Sequence, residues 1–151
     1  MIPRHLSPKI KKAAGDSPVI TLTGPRQSGK TTLVKALFPE YTYISLENPD
    51  QRAFAIDDPN GFLNRFKTGV ILDEVQRAPD LFSYLQTIVD EHDKPGQFIL
   101  TGSQNFLLLE KISQSLAGRT AIFYLLPFSQ GELLKRPAVN SENYPGQEYA
   151  R

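Results

Sequence analysis

Apolar residues come along this chain in short unbroken runs, separated by longer stretches of helical period. Val19-Ile20-Thr21-Leu22-Thr23, Val70-Ile71-Leu72 and Gln97-Phe98-Ile99-Leu100-Thr101 lack the alternation of a half-exposed strand. Each therefore predicts a strand covered on both faces, as in a parallel sheet. Tyr41-Thr42-Tyr43-Ile44-Ser45-Leu46 and Thr120-Ala121-Ile122-Phe123-Tyr124-Leu125-Leu126 have the β-branched and aromatic content of two more strands. Leu81, Leu85, Ile88 and Val89 recur on one face of a helix over 81–92, and a second apolar stripe runs through 106–117 until Gly118 ends it. Shorter helices are expected within residues 1–18, with Ser7 as cap, after Thr31, over 51–56 with Asp50 as cap, over 60–67, and from Phe128. Strands alternating with helices in this way predict an α/β sandwich built on a five-stranded parallel sheet.

The chemistry collects where the strands end. Gly24-Pro25-Arg26-Gln27-Ser28-Gly29-Lys30-Thr31 follows the first strand, opens a helix at Thr32, and satisfies the pattern G-x-x-x-x-G-K-[ST]. The glycines let the backbone curl until successive amides face one anion, and the helix start adds its free donors and dipole. Gly24 to Thr32 are thus the expected polyphosphate cradle, with Lys30 on the β- and γ-phosphates and the Thr31 hydroxyl on Mg²⁺. The plainer reading of the same residues is a Gly/Ser-rich turn with a surface lysine.

The third strand ends in Asp73-Glu74, acids at the edge where parallel sheets collect ligands. Beside a phosphate loop, Asp73 is the expected metal carboxylate and Glu74 the group that orients or deprotonates water. Gly102-Ser103-Gln104-Asn105, at the end of the fourth strand, serves equally as a γ-phosphate sensor or as a turn capping the next helix. Arg119, between a helix and the last strand, is either a solvated end charge or a phosphate contact, in its own or a neighbouring subunit. Glu47 and Asp50 are read as turn and cap residues before outer ligands of the metal.

Composition narrows the partners without naming one. Lys and Arg number 17 against 16 Asp and Glu, a net charge of +1, so no global field draws the chain to nucleic acid or anionic lipid. The basic cluster Lys9, Lys11 and Lys12 near the start reads as a solvated helix face before a nucleic-acid contact. No cysteine is present, which excludes disulfides and thiolate metal sites. No run of eighteen apolar residues occurs and the first residues lack a signal pattern, so a cytoplasmic protein with no membrane partner is expected.

Taken in order, Thr23 to Thr31, Leu72-Asp73-Glu74-Val75-Gln76, Thr101-Gly102-Ser103 and Leu126-Pro127-Phe128-Ser129 resemble the nucleotide-binding part of prokaryotic AAA-type ATPases, most of all the group joined to a C-terminal domain of unknown function. The resemblance implies a P-loop NTPase sandwich over residues 1–135 with strand order 5-1-4-3-2, ATP and Mg²⁺ as ligands, and Glu74, Lys30, Ser103 and Arg119 as catalytic groups. Ser103 would take the sensor position and Arg119 that of an arginine finger. From Arg136 the composition shifts to Pro, Asn, Ser, Glu and Gly, so 136–151 is expected to be a polar tail or linker; because the group continues into a further domain, the resemblance implies either a chain cut before it or a short variant. Hydrolysis of ATP to drive a partner, in a homo-oligomer or on DNA or protein, is the leading expectation. A nucleotide-gated binding module of negligible turnover and a small-molecule phosphotransferase are its competitors, the last lacking an arginine-bearing lid segment.

Overall fold

The computed structural model describes residues 5–26, 28–66, 68–103, 106–126 and 148–149. Its strands are β1 (Val19–Gly24), β2 (Thr42–Ser45), β3 (Val70–Asp73), β4 (Phe98–Ser103), β5 (Thr120–Tyr124) and a two-residue β6 (Glu148–Tyr149). Its helices are α1 (Ser7–Ala14), α2 (Lys30–Leu37), α3 (Pro49–Asp57), α4 (Pro59–Leu63), α5 (Leu81–His92) and α6 (Phe106–Ser115). The sheet runs β2-β3-β4-β1-β5-β6. The first five strands are all parallel, in the expected order, and β6 joins β5 antiparallel. That edge pairing was not legible in the sequence.

Alternation along each buried strand feeds two separate cores. Val19, Val70, Leu72, Phe98, Leu100 and Ile122 face one side, where α3 to α6 bring Ala55, Phe62, Phe82, Leu85, Leu108 and Ile112. Ile20, Leu22, Ile71, Ile99 and Phe123 face the other, against Leu6, Ile10, Leu33 and Val34 of the α1–α2 side. The result is the three-layer sandwich expected of unbroken apolar strands, and it leaves the strand ends open to polar chemistry.

Several helix starts differ from expectation for local reasons. Asn48, not Asp50, caps α3, its Oδ1 accepting from the amides of Asp50 at 2.9 Å and Gln51 at 3.1 Å. That extra residue lets Pro49 take the first helical position, where it needs no amide donor. Leu6 rather than Ser7 stands at the start of α1, with no side-chain cap. Helix α4 begins at Pro59 under an Asp58 cap and stops at Leu63, short of 67. The helix expected from Phe128 and most of 136–151 lie outside the described residues. Among the described residues no helix is long and apolar enough to cross a membrane.

Candidate nucleotide and magnesium site

Register brings the sequence-separated motifs to one edge. Gly24 closes β1 opposite Ser103 of β4, and β3 ends at Asp73 beside Thr101. Gly24 has no room for a side chain: a Cβ there would stand 2.3 Å from the Leu125 carbonyl oxygen. Gly29, at φ +92, turns the chain through the left-handed region into α2. Among the described residues no side chain caps that helix, whose first-turn amides, those of Lys30, Thr31 and Thr32, are the ones an α-helix does not pair within itself. Pro25, Arg26 and Ser28 complete the described loop, while Gln27 lies outside the described residues.

Lys30 is only 4% exposed. Its Nζ folds back to donate to the carbonyls of Gly24 at 3.0 Å and Pro25 at 2.8 Å. Burial holds its pKa below the ordinary lysine value, against the opposing pull of Glu74 and Asp73. A phosphate group arriving here would restore favourable surroundings to that charge. Ser28 Oγ is buried in the same loop with no hydrogen-bond partner among the described residues, a hydroxyl that a phosphate oxygen could satisfy.

Thr31 Oγ1 donates to Asp73 Oδ2 at 3.0 Å. Neighbouring ligands of an octahedral Mg²⁺, each about 2.0–2.1 Å from the ion, stand about 2.9 Å apart, so this hydroxyl and carboxylate fit two adjacent corners. Asp73 also accepts from Thr101 through Oδ1 and from Tyr43 through Oδ2. Burial, then the hydrogen bond to Asp73, pushes the Tyr43 phenol well above its usual range, so it stays a donor. Among the described residues no group of three or more His, Cys, Asp or Glu side chains gathers as a metal cage. The magnesium of phosphate sites takes few protein ligands.

Glu74 turns sharply out of β3 at φ 59, ψ 52, into a single 3₁₀ turn over Val75–Arg77. Its amide bonds Thr101 Oγ1 at 3.2 Å. Its Oε1 accepts from Gln76 Nε2 at 2.6 Å and Ser103 Oγ at 3.4 Å. Across the mouth, Glu47 stands 3.6 Å from Arg26 and 3.9 Å from Arg77; it bridges the loop to the turn after Asp73.

Arg119 does not join this edge. It immediately precedes β5, where Thr120 pairs with Val19 at the amino end of β1, roughly 16 Å of strand away from Gly24 at about 3.3 Å per residue. There it grips Asp90 with two bonds, of 2.6 and 3.0 Å. A phosphate contact within its own chain is therefore corrected to an ion pair at the far edge. Tyr43, Thr101 and Gln76 are the residues that motif reading missed, because neighbouring strands and turns deliver them.

A family model described as an AAA domain matches residues 16–134. The chain is similar to uncharacterized proteins of Mycobacterium tuberculosis and Mycobacterium bovis, each 38% identical over 125 residues, or 81% of this chain and 28% of theirs. It thus spans little more than a quarter of the length of those relatives. Among solved structures it is similar to the Walker-type ATPase PABY2304 of Pyrococcus abyssi, with TM-score 0.59 and 21% identity over 92% of this chain and 58% of that one. It is also similar to domain III of the replication initiation protein DnaA from Thermotoga maritima, with TM-score 0.51 and 17% identity over 80% and 60%. At such identities the structural likeness is one of fold.

Proposed function

The chain belongs to the AAA domain family, and from that premise we propose that it binds ATP with Mg²⁺ and hydrolyses the γ-phosphate to change conformation on a macromolecular partner. The observation that carries this reading is the Thr31–Asp73 pair at 3.0 Å, beside the uncapped start of α2 and within the same edge as Glu74. Gly24 to Thr32 would cradle the phosphates through main-chain amides. Lys30 would exchange its two carbonyl bonds for phosphate oxygens. Thr31 and Asp73 would hold the Mg²⁺, which when bound neutralises charge on the phosphates.

Glu74 then has a defined task. Its Oε1 is held by Gln76 and Ser103, which leaves Oε2 to accept a proton from an attacking water. Ser103 acts here as a group that steadies the base. Glu74→Gln should keep ATP affinity within about threefold and cut phosphate release by roughly 10²–10⁴. Unchanged turnover in that variant removes Glu74 from the mechanism.

A second reading, a nucleotide-gated module for DNA or protein with negligible turnover, is favoured by the same Gln76 bond if it holds Glu74 away from water. It expects tight ATP binding and no phosphate release in the unaltered chain, so the Glu74→Gln comparison separates the two. A homo-oligomer is a further part of the proposal, since Arg119 can meet a phosphate only on a second copy.

A further inference from the structure

Hydroxyls hold Asp73 on three sides. Thr101 takes Oδ1, and Thr31 and Tyr43 both take Oδ2. Thr31 belongs to the phosphate loop and Thr101 to the adjoining strand end. Tyr43 comes from β2, and no phosphate-site pattern calls for a tyrosine there.

Register explains its arrival. Tyr43 is paired with Ile71 in the parallel β2–β3 ladder, and residues two apart on a strand share a face. Asp73 therefore stands diagonally above Tyr43 on the α2 side of the sheet, a distance that a long aromatic side chain spans. The ring packs against the core on that side, and Lys35 of α2 lies over it, Nζ 4.0 Å from the centroid. Covered on its faces in this way, the phenol has its oxygen fixed at the carboxylate.

We propose that Tyr43 is a positioning residue for the magnesium carboxylate: with Thr101 it fixes the plane of Asp73, so that Oδ2 faces Thr31 Oγ1 before any cation arrives. The inference rests on the reading of Thr31 and Asp73 as the metal-holding pair. A carboxylate free to swing loses rotational freedom when the ion binds, whereas one held at both oxygens has already lost it. Removing a group that orients a metal ligand typically lowers metal affinity by about 10–100-fold. The effect falls on the metal and spares the metal-free nucleotide, because the phenol's partner in the loop is the Thr31 hydroxyl, the proposed metal ligand, while Lys30 bonds the carbonyls of Gly24 and Pro25.

The test compares the unaltered chain with Tyr43→Phe, which removes one oxygen. Affinity for a non-hydrolysable ATP analogue is measured in EDTA and in excess Mg²⁺, and the ratio of the two is the magnesium-dependent gain. Tyr43→Phe should match the unaltered chain in EDTA within about twofold and show a gain about tenfold smaller. A spectroscopic readout accompanies it. The chain has six tyrosines and no tryptophan, and a phenol bonded to a carboxylate has its emission quenched, so Mg²⁺ should leave tyrosine emission of the unaltered chain unchanged; a rise on Mg²⁺ that Tyr43→Phe lacks would mark a phenol displaced from Oδ2 and overturn the proposal. An unchanged gain in Tyr43→Phe overturns the proposal. So does a larger gain, which would make the phenol a competitor for Oδ2, and so does a parallel loss of binding in EDTA, which would make it merely structural. If the unaltered chain shows no magnesium-dependent gain, the Thr31–Asp73 reading itself fails and Tyr43 falls with it.

Discussion

Lys30 shows what burial in the proposed phosphate loop does to a single residue. Burial lowers its pKa, so the folded, empty protein carries a cost for keeping it charged. That cost is present below the lowered pKa and fades as pH rises toward the ordinary value of 10.5, because across that window the unfolded chain binds the extra proton. Stability of the unaltered chain relative to Lys30→Met should therefore increase as pH rises through the lowered pKa toward 10.5, with ATP affinity in the variant about 10–100-fold lower from the lost charged bonds. Parallel melting profiles for the two chains across that range would show that the ammonium bears no burial cost. Lys30, Thr31, Asp73 and Glu74 were legible from the sequence because the loop motif is contiguous and acids at the end of an apolar strand have one place to go. Tyr43, Thr101 and Gln76 were not, since their contacts depend on the pairing of β2, β3 and β4 and on the turn after Glu74. Asp73 accepts from two of them, so two of its three hydroxyl donors were invisible to motif reading.

At the scale of elements, the two ends of the sheet do different work. The carboxyl edge gathers loop, acids and Ser103, while the amino edge is a packing seam. There the Tyr41 hydroxyl donates to the Gly96 carbonyl at 2.8 Å, and its ring covers Gly69 so closely that a Cβ would meet it at 2.8 Å. Gly69 also sits at φ +128, which side chains rarely adopt. Gly69→Ala should lower stability by about 2 kcal/mol or more, from overpacking and backbone strain together, while ATP affinity of the folded protein stays unchanged. Urea unfolding and nucleotide titration read the two separately, and a loss of affinity without loss of stability would contradict the division. The same polarity explains why Arg119 lies far from the phosphate loop of its own chain. A residue just before a parallel strand must lie at the amino edge, a signal present in the sequence once β5 was recognised. Strand existence was readable because unbroken apolar runs admit little else, and strand order came only from the family resemblance; the length of α4 and the α3 cap were not readable, since Asp58 and Asn48 compete with neighbours of similar capping strength.

For the molecule as a whole, membership of the AAA domain family and the five parallel strands agree with the arrangement of motifs. The central claim is narrower: a polyphosphate held by Gly24 to Thr32, and its magnesium held by Thr31 and Asp73. Calorimetric titration of ATP into the folded chain with excess Mg²⁺, repeated with Lys30→Ala, tests it most directly. The account predicts one ATP per chain for the unaltered protein, with affinity reduced at least tenfold by Lys30→Ala. Absence of heat with the unaltered chain, or equal binding by both, would contradict it.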